Sequence, residues 1–268
     1  MICPLCSSTC VVIRQGREHC NQCGSQDCNQ CGSQEGDSYI PGWKAIPVYI
    51  INRNNLDRGF RDLVCWLNKV GMSHIEVLDN DSTYPPLLEY YKECPAIITK
   101  IGQNLGPYVF WDTNRQLYSL SPYVVTDSDV VPDKDCPDDL VGKMLEVFQR
   151  YRASGCVKVG PGLRIDNLPD HYKAKDAVIR WETQNFNNKN SEGDAYSTSI
   201  DTTFALYWSK SNACHPVHLP PHNHYRLAAP YVIEHRPWYA DTENLTEEDK
   251  YYETHRGSTS WGHWRRTG

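Results

Sequence analysis

The chain has 268 residues, 40% hydrophobic and 22% charged, with a formal net charge of -6. This is an ordinary globular composition, long enough for one large α/β domain plus a small appendage, and the acidic balance gives no general pull towards nucleic acid or acidic membranes. No apolar run approaches the ~20 residues that span a bilayer, and the N-terminus lacks the apolar core of a signal peptide, so no membrane span and a cytoplasmic location are expected.

Of the 12 cysteines, seven lie in the first 31 residues, and Cys65, Cys94, Cys136, Cys156 and Cys214 stand singly. The early ones form Cys3-Pro-Leu-Cys6, Cys20-Asn-Gln-Cys23-Gly and Cys28-Asn-Gln-Cys31-Gly. A Cys-x-x-Cys turn aims two sulfurs at one point, so two such knuckles joined by a hairpin close a tetrahedral thiolate site for Zn²⁺. Residues 1–40 therefore read as a zinc-ribbon-like module. Cys3, Cys6, Cys20 and Cys23 are the first ligand set, with Cys28 and Cys31 as alternates because Cys-Asn-Gln-Cys-Gly-Ser-Gln occurs twice. A four-sulfur site leaves no open position for substrate, which makes this zinc structural.

Residues 41–268 form the main domain, entered through Pro41-Gly42. Ile46–Ile51 is a buried strand, and Leu56–Val70 carries apolar residues at helical spacing up to Gly71. Ile75–Leu78 is a second strand, and Pro85-Pro86 starts a short helix. Ala96–Thr99 is a third strand, followed by a helix to about Tyr118. The fourth, Tyr123-Val-Val-Thr-Asp-Ser-Asp-Val-Val131, is apolar and then acidic. A β-α-β-α-β-α-β order predicts a mostly parallel sheet with helices on both faces, and ligands at the carboxyl ends of its strands. The polar clusters Asn52-Arg-Asn-Asn55, Asp79-Asn-Asp-Ser-Thr83, Asn104-Leu-Gly-Pro107 and Asp127-Ser-Asp129 all sit at such ends.

Asp127 and Asp129 are spaced i, i+2. In extended backbone that puts both carboxylates on one side, with Ser128 facing away, where hard oxygen ligands suit Mg²⁺ or Mn²⁺ and leave positions open for water and phosphates.

Four stretches together, Ile46-Pro-Val-Tyr-Ile-Ile-Asn-Arg-Asn54, Leu78-Asp-Asn-Asp-Ser-Thr83, Gln103-Asn-Leu-Gly-Pro-Tyr108 and Thr126-Asp-Ser-Asp129, resemble the family-2-like glycosyltransferases of the GT-A fold. The resemblance covers about Ile46 to Tyr252. It implies a Rossmann-like α/β half and a nucleotide-sugar donor, with Asp79 and nearby Asp81 at the base or ribose. It further implies a metal held by Asp127 and Asp129 against the donor's diphosphate, and His235, in a late strand, as the residue that completes the coordination. Asn52 and Ser128 join the donor-binding set, and Arg53 and Arg115 are candidates for assisting the phosphates. A divalent cation so held stabilises the negative charge developing on a departing nucleotide, so an acidic chain can bind an anionic donor through its metal.

Downstream, residues 138–151 read as a helix and 157–160 as a strand, and a helix from Leu168 places Ala174, Val178 and Trp181 on one face. The polar stretch 187–199 reads as a mobile loop, one that in a transferase can close over the donor. Asp201, where strand 200–207 begins, is the candidate base for an acceptor hydroxyl in a single-displacement transfer, or else a strand-terminating acid. The Glu-Asp pair that supplies the base in many inverting relatives is absent between Tyr207 and His235. Cys214, His215, His218, His222 and His224 form a run that is either a second metal site or a proline-stiffened loop. His255 rivals His235 as a ligand. Thr246 and Asp249 have capping-box spacing at the start of a last helix, and the tail Arg256–Arg266, with Trp261 and Trp264, either orders over the diphosphate or frays.

Two functions follow. One is an enzyme moving a sugar, with UDP the expected carrier, to an acceptor hydroxyl on a glycan or on a hydroxymethylated base in DNA; the other is a catalytically silent nucleotide-sugar fold guided to nucleic acid or protein by its zinc ribbon. Against a DNA partner, residues 1–40 hold two arginines and four acids and so offer no basic footprint.

Overall fold

In a computed structural model of the chain, which describes residues 11–14, 17–20, 42–117, 122–200, 204–208, 223–241 and 243–255, the longest β-branched runs become the inner strands of one sheet. The chain divides into two units, Met1–Pro41 and Gly42–Gly268. Of the first, the description covers one antiparallel hairpin, β1 (Val11–Arg14) against β2 (Arg17–Cys20), with Val11 opposite Cys20. It occupies the interval between Cys6 and Cys20, where the two-knuckle reading calls for a hairpin. Cys3, Cys6, Cys23, Cys28 and Cys31 lie outside the described residues.

The second unit is mixed α/β. Its first half contains β3 (Val48–Asn52), α1 (Phe60–Lys69), β4 (Ile75–Asp79), α2 (Pro85–Tyr90), β5 (Ile97–Lys100), α3 (Val109–Asp112), β6 (Tyr123–Asp127) and β7 (Val130–Pro132). There follow α4 (Leu140–Tyr151), β8 (Lys158–Gly160), β9 (Gly162–Leu163), α5 (Lys175–Thr183), β10 (Ala195–Ser197), β11 (Phe204–Tyr207), β12 (His224–Leu227), β13 (Val232–His235) and α6 (Glu247–His255). The large sheet runs β10-β12-β8-β11-β6-β3-β4-β5. The β6-β3-β4-β5 part is parallel throughout, whereas β11 is antiparallel to both neighbours and β10 to β12. The expected four-strand parallel half is present. A mixed half, containing the short strands β8, β10, β11 and β12, extends it.

β3 is buried along its whole length, which is why it reads as unbroken Val-Tyr-Ile-Ile without alternation. One face of the sheet is closed by Val109, Phe110 and Trp111 of α3, against Tyr49, Tyr123 and Tyr207. These rings meet at 4.7 Å for Tyr49–Phe110, 5.0 Å for Phe110–Tyr123 and 5.2 Å for Trp111–Tyr207. Leu63, Val64 and Leu67 of α1 and Val141, Met144 and Phe148 of α4 are likewise buried, each side chain worth roughly 1.5–3 kcal/mol of transfer free energy.

The acidic fourth run divides in the structure. β6 stops at Asp127, Ser128 and Asp129 make a turn, and Val130-Val131-Pro132 joins a second sheet, β7-β13-β9. α1 begins at Phe60 rather than Leu56, because residues 53–59 are held as a loop. Trp181 does not share the buried face of Ala174 and Val178: it is 58% exposed, and Glu182 takes the inner position.

Candidate functional site

β3, β4 and β5 are laid down outward in one direction, and the chain then returns to place β6 on the other side of β3. The carboxyl ends of β3 and β6 thus flank a topological switch point, the place where a crevice opens in a parallel sheet. Ile51 is opposite Asp127 in register, and Asn52 is opposite Asp79, so the ends of three strands deliver Asn52, Asp79 and Asp127 side by side.

The loops leaving those ends are stitched by carboxamides. Asn54, buried and at φ 52°, accepts the Thr83 and Tyr84 amides at 2.7 and 2.9 Å, while its own N–H donates to Ser82 Oγ at 3.0 Å. Asn80 accepts the Leu105 amide at 2.8 Å and donates to the Gly106 carbonyl at 2.9 Å. Between them, Asn52 Nδ2 donates to Tyr91 Oη at 2.9 Å and Tyr91 donates to Asp79 Oδ1 at 3.1 Å. Burial first, and then the charge of Asp79, raise the Tyr91 phenol well above its ordinary range, which keeps it protonated as that donor. Asn52 Oδ1 and Asn55 Oδ1 are buried acceptors with no hydrogen-bond partner. Leaving such an atom unpaired costs about 1–3 kcal/mol.

The antiparallel pairing of β7 with β13 sets His235 opposite Val130, one residue beyond Asp129. The consequence is an Asp129 Oδ2 to His235 Nε2 contact of 3.5 Å, with His235 Nδ1 buried and unpartnered. The Arg236 amide closes the same turn by donating to the Asp129 carbonyl at 2.8 Å. Burial pushes the Asp129 carboxyl up, but the adjacent His235 and then Arg58 outweigh it, and the net effect holds Asp129 below the usual carboxylate range. Asp129 is therefore an anion beside an imidazole. Among the described residues no group of three or more His, Cys, Asp or Glu stands close enough to hold a metal ion. Of the three expected ligands, Asp129 and His235 meet, and Asp127 stands on the preceding strand end without closing a three-ligand group with them. A carboxylate and an imidazole are a fitting donor set for Mn²⁺, whose sites on phosphate substrates use one or two carboxylates and complete the sphere with water and phosphate oxygens.

Several expected residues are placed elsewhere. Ser128 does not face away. Because 128–129 is a turn, strand alternation does not apply, and Ser128 is buried with its Oγ accepting from Asn55 Nδ2 at 3.1 Å. Arg53 donates through Nη1 to the His255 carbonyl at 2.6 Å, which ties one of its five N–H groups to the end of α6. Arg115 pairs with Glu76, near the beginning of β4 and away from the strand's carboxyl end, where Glu76 also accepts from Thr99 Oγ1 at 2.7 Å. Asp81 is an exposed loop residue at φ 66°. His255 ends α6, its ring stacked on Tyr251 at 3.9 Å. His224 is buried within β12 instead of lying in an extended loop. Asp201, Cys214, His215, His218, His222, Trp261 and Trp264 lie outside the described residues.

The expected mobile loop 187–199 is instead a built hairpin. Asn190 Oδ1 accepts the Asp194 and Ala195 amides at 3.0 and 3.1 Å, and Asp194 is clamped to α4 by Arg150 at 3.0 Å and Lys143 at 2.9 Å. It continues into β10 on the far edge of the sheet.

Sequence reasoning missed α6 as part of the site. Glu248, 5% exposed, accepts the Leu56 and Asp57 amides at 2.7 and 2.8 Å, and Asp249 pairs with Arg58 at 3.1 Å. Arg58 also lies over the Tyr252 ring, and Tyr251 donates to Thr83 at 3.0 Å. The capping box was the available signal, and it forms: Thr246 Oγ1 donates to Asp249 Oδ2 at 2.7 Å and accepts the Asp249 amide at 3.1 Å. Its spacing announced the helix start without saying what Glu248 would hold. The single cysteines are free thiols among the described residues, and burial pushes Cys136 and Cys156 up to about 12, far from thiolate chemistry at neutral pH.

No family model and no curated protein matches the chain. Among solved structures it is similar to a mannosyltransferase from Pyrobaculum calidifontis in complex with GDP-Man and Mn²⁺, with 11% identity and a TM-score of 0.41 over 74% of this chain and 61% of that one. It is also similar to a mycobacterial protein, with 14% identity and a TM-score of 0.42 over 71% of this chain and 67% of that one. The chain thus spans less than two thirds of the mannosyltransferase's length.

Proposed function

We propose that this chain is a metal-dependent glycosyltransferase of the GT-A type, moving a sugar from a nucleotide donor, with UDP the expected nucleotide, to an acceptor hydroxyl on a glycan or on a hydroxymethylated base in DNA. The observation that carries the reading is the ionised Asp129 beside His235, in the turn that leaves β6 at the switch point. Asp127, Asp129 and His235 would hold Mn²⁺ or Mg²⁺, and such an ion supplies electrostatic stabilisation to a departing diphosphate. The residues around it do the rest. Asp79 and Asn52, tied through Tyr91, form a polar floor suited to the nucleoside, where Asn52 Oδ1 offers an unused buried acceptor. Asn55 holds Ser128 and thereby the turn that presents Asp129. Asp201 remains the proposed base, and the Cys-rich head the proposed structural Zn²⁺ module. The chemistry of β3, β4 and β6 favours transfer over a silent binding role, because a silent fold has no need of an acid and an imidazole converging beside a nucleoside floor.

Calorimetric titration of UDP-sugars with and without Mn²⁺ tests the reading. Binding is expected to require the ion and to weaken at least about tenfold, ~1.4 kcal/mol, in Asp129→Ala and His235→Ala. Donor binding that ignores both the metal and these substitutions would end the proposal.

A further inference from the structure

At the edge of the large sheet farthest from β5, the structured hairpin 187–196 and the end of α4 border a shallow, solvent-open cavity of about 510 Å³ that shares no residue with the strand-end site. The cavity has two aromatic and several neutral polar liners. Tyr151 and Tyr225 stack on one another at 4.1 Å and 11°, and the walls are Asn187, Asn188, Lys189 and Ser197 among others. The size falls within the roughly 300–1,000 Å³ of small-molecule sites.

The cavity is preformed. Tyr151 donates to Glu192 at 2.6 Å, and the Asp194 clamp to Lys143 and Arg150 fixes the hairpin on α4. A rigid rim spares a ligand the cost of ordering it. The walls are also chemically idle: among the described residues, Asn188 and Ser197 make no side-chain hydrogen bond, and Asn187 uses only Nδ2, towards the Gln184 carbonyl at 3.2 Å. Carboxamides and hydroxyls each offer both donors and acceptors, which complements a ligand bearing many hydroxyls. The stacked Tyr151 and Tyr225 rings add apolar surface beside them, which suits the C–H groups of a pyranose. Lys189 is the one charged liner, and its Nζ stands 5.7 Å from the Tyr196 ring centroid, so a polyanion has little to hold it there.

We propose that this cavity is a saccharide-binding subsite, separate from the transfer centre, that takes neutral pyranose units of a glycan. The proposal rests on the cavity alone and would stand even if the strand-end site were catalytically silent. The test is saturation-transfer NMR and calorimetry of the full chain with maltotetraose, cellotetraose, chitotetraose and mannotetraose, without donor or metal. At least one is expected to bind with a Kd on the order of 1 mM, weakened about tenfold in Asn188→Ala and in Ser197→Ala, two partly or fully exposed positions with no internal side-chain bond to lose. The same ligand should bind Asp129→Ala unchanged. Absence of binding by all four would overturn the proposal. So would binding that survives both cavity substitutions, or binding that is lost in Asp129→Ala and therefore belongs to the strand-end site.

Discussion

Gly59 shows how a single residue shapes the site. It sits at φ 134°, and a Cβ there would come within 3.1 Å of Asp129 Cα, 3.1 Å of the Ser128 carbonyl oxygen and 3.2 Å of Arg236 Cγ. Glycine is therefore required twice, for the backbone angle and for the close approach of the α1 N-terminus to the acidic turn. Gly59→Ala is expected to lower stability by about 1–3 kcal/mol in urea titration and to weaken Mn²⁺-dependent donor binding, because the positive φ strains an L residue and its Cβ presses on the 128–129 turn. An unchanged midpoint would mean that the contact yields freely. At this scale the sequence was legible where chemistry is local: Asp127 and Asp129 were named from their i, i+2 spacing, whereas Asp79 and His235 were named through the resemblance to a family. The partners of Arg53 and Arg115, the His255 carbonyl and Glu76, were not legible, because an arginine's partner is set by the fold around it and its long side chain reaches several.

Among the elements, α6 has the broadest reach. Its buried Glu248 satisfies two loop amides, Asp249 holds Arg58, its last carbonyl receives Arg53, and Tyr251 touches the β4–α2 loop. The helix thereby straps together the two loops that leave β3 and β4. Glu248→Gln keeps one acceptor oxygen and leaves either the Leu56 or the Asp57 amide unpaired, a loss of about 1–3 kcal/mol. Hydrogen exchange of those two amides should accelerate, and the KM for donor should rise with a smaller change in kcat. Unaltered protection at 56 and 57 would refute the strap. The helix itself was readable from Thr246 and Asp249, since a capping box is a property of four consecutive residues. Its docking was not, because the partners lie 191 and 192 positions away in the chain.

Over the whole molecule, charge pairing sets the response to acid. Burial pushes the Asp194 and Asp133 carboxyls up, but Asn190, Lys143 and Arg150 hold Asp194 far below its ordinary 3.8, and the Asp135 amide and Arg164 bring Asp133 below it too. Groups with depressed values contribute stability that is fully present above the unfolded-state value and is lost as pH falls through the folded one. Glu248 acts oppositely: burial raises it above 4.5, so its protonation favours the fold, and stability is lost as pH rises through its raised value. Urea midpoints should therefore change little, or rise slightly, as pH falls from neutral towards about 4, and then drop steeply below the 3.8 reference. Asp194→Asn should flatten the acid limb at the expense of stability at neutral pH. A steep loss already above pH ~5, or none below 3.8, would contradict this assignment.

By itself the sequence determined the strand-helix alternation of the first half, the parallel core and the clustering of acids at strand ends, because apolar periodicity and β-branching act over a few neighbouring residues. It also marked the paired Cys-x-x-Cys knuckles and the capping box. Only the tertiary structure decided that Ser128 turns inward, that Asp129 meets His235 through the pairing of β7 with β13, and that 187–196 is a clamped hairpin instead of a mobile loop. Each of these depends on contacts between segments far apart in the chain, and the packing of the complete sheet selects among partners that local sequence leaves equivalent.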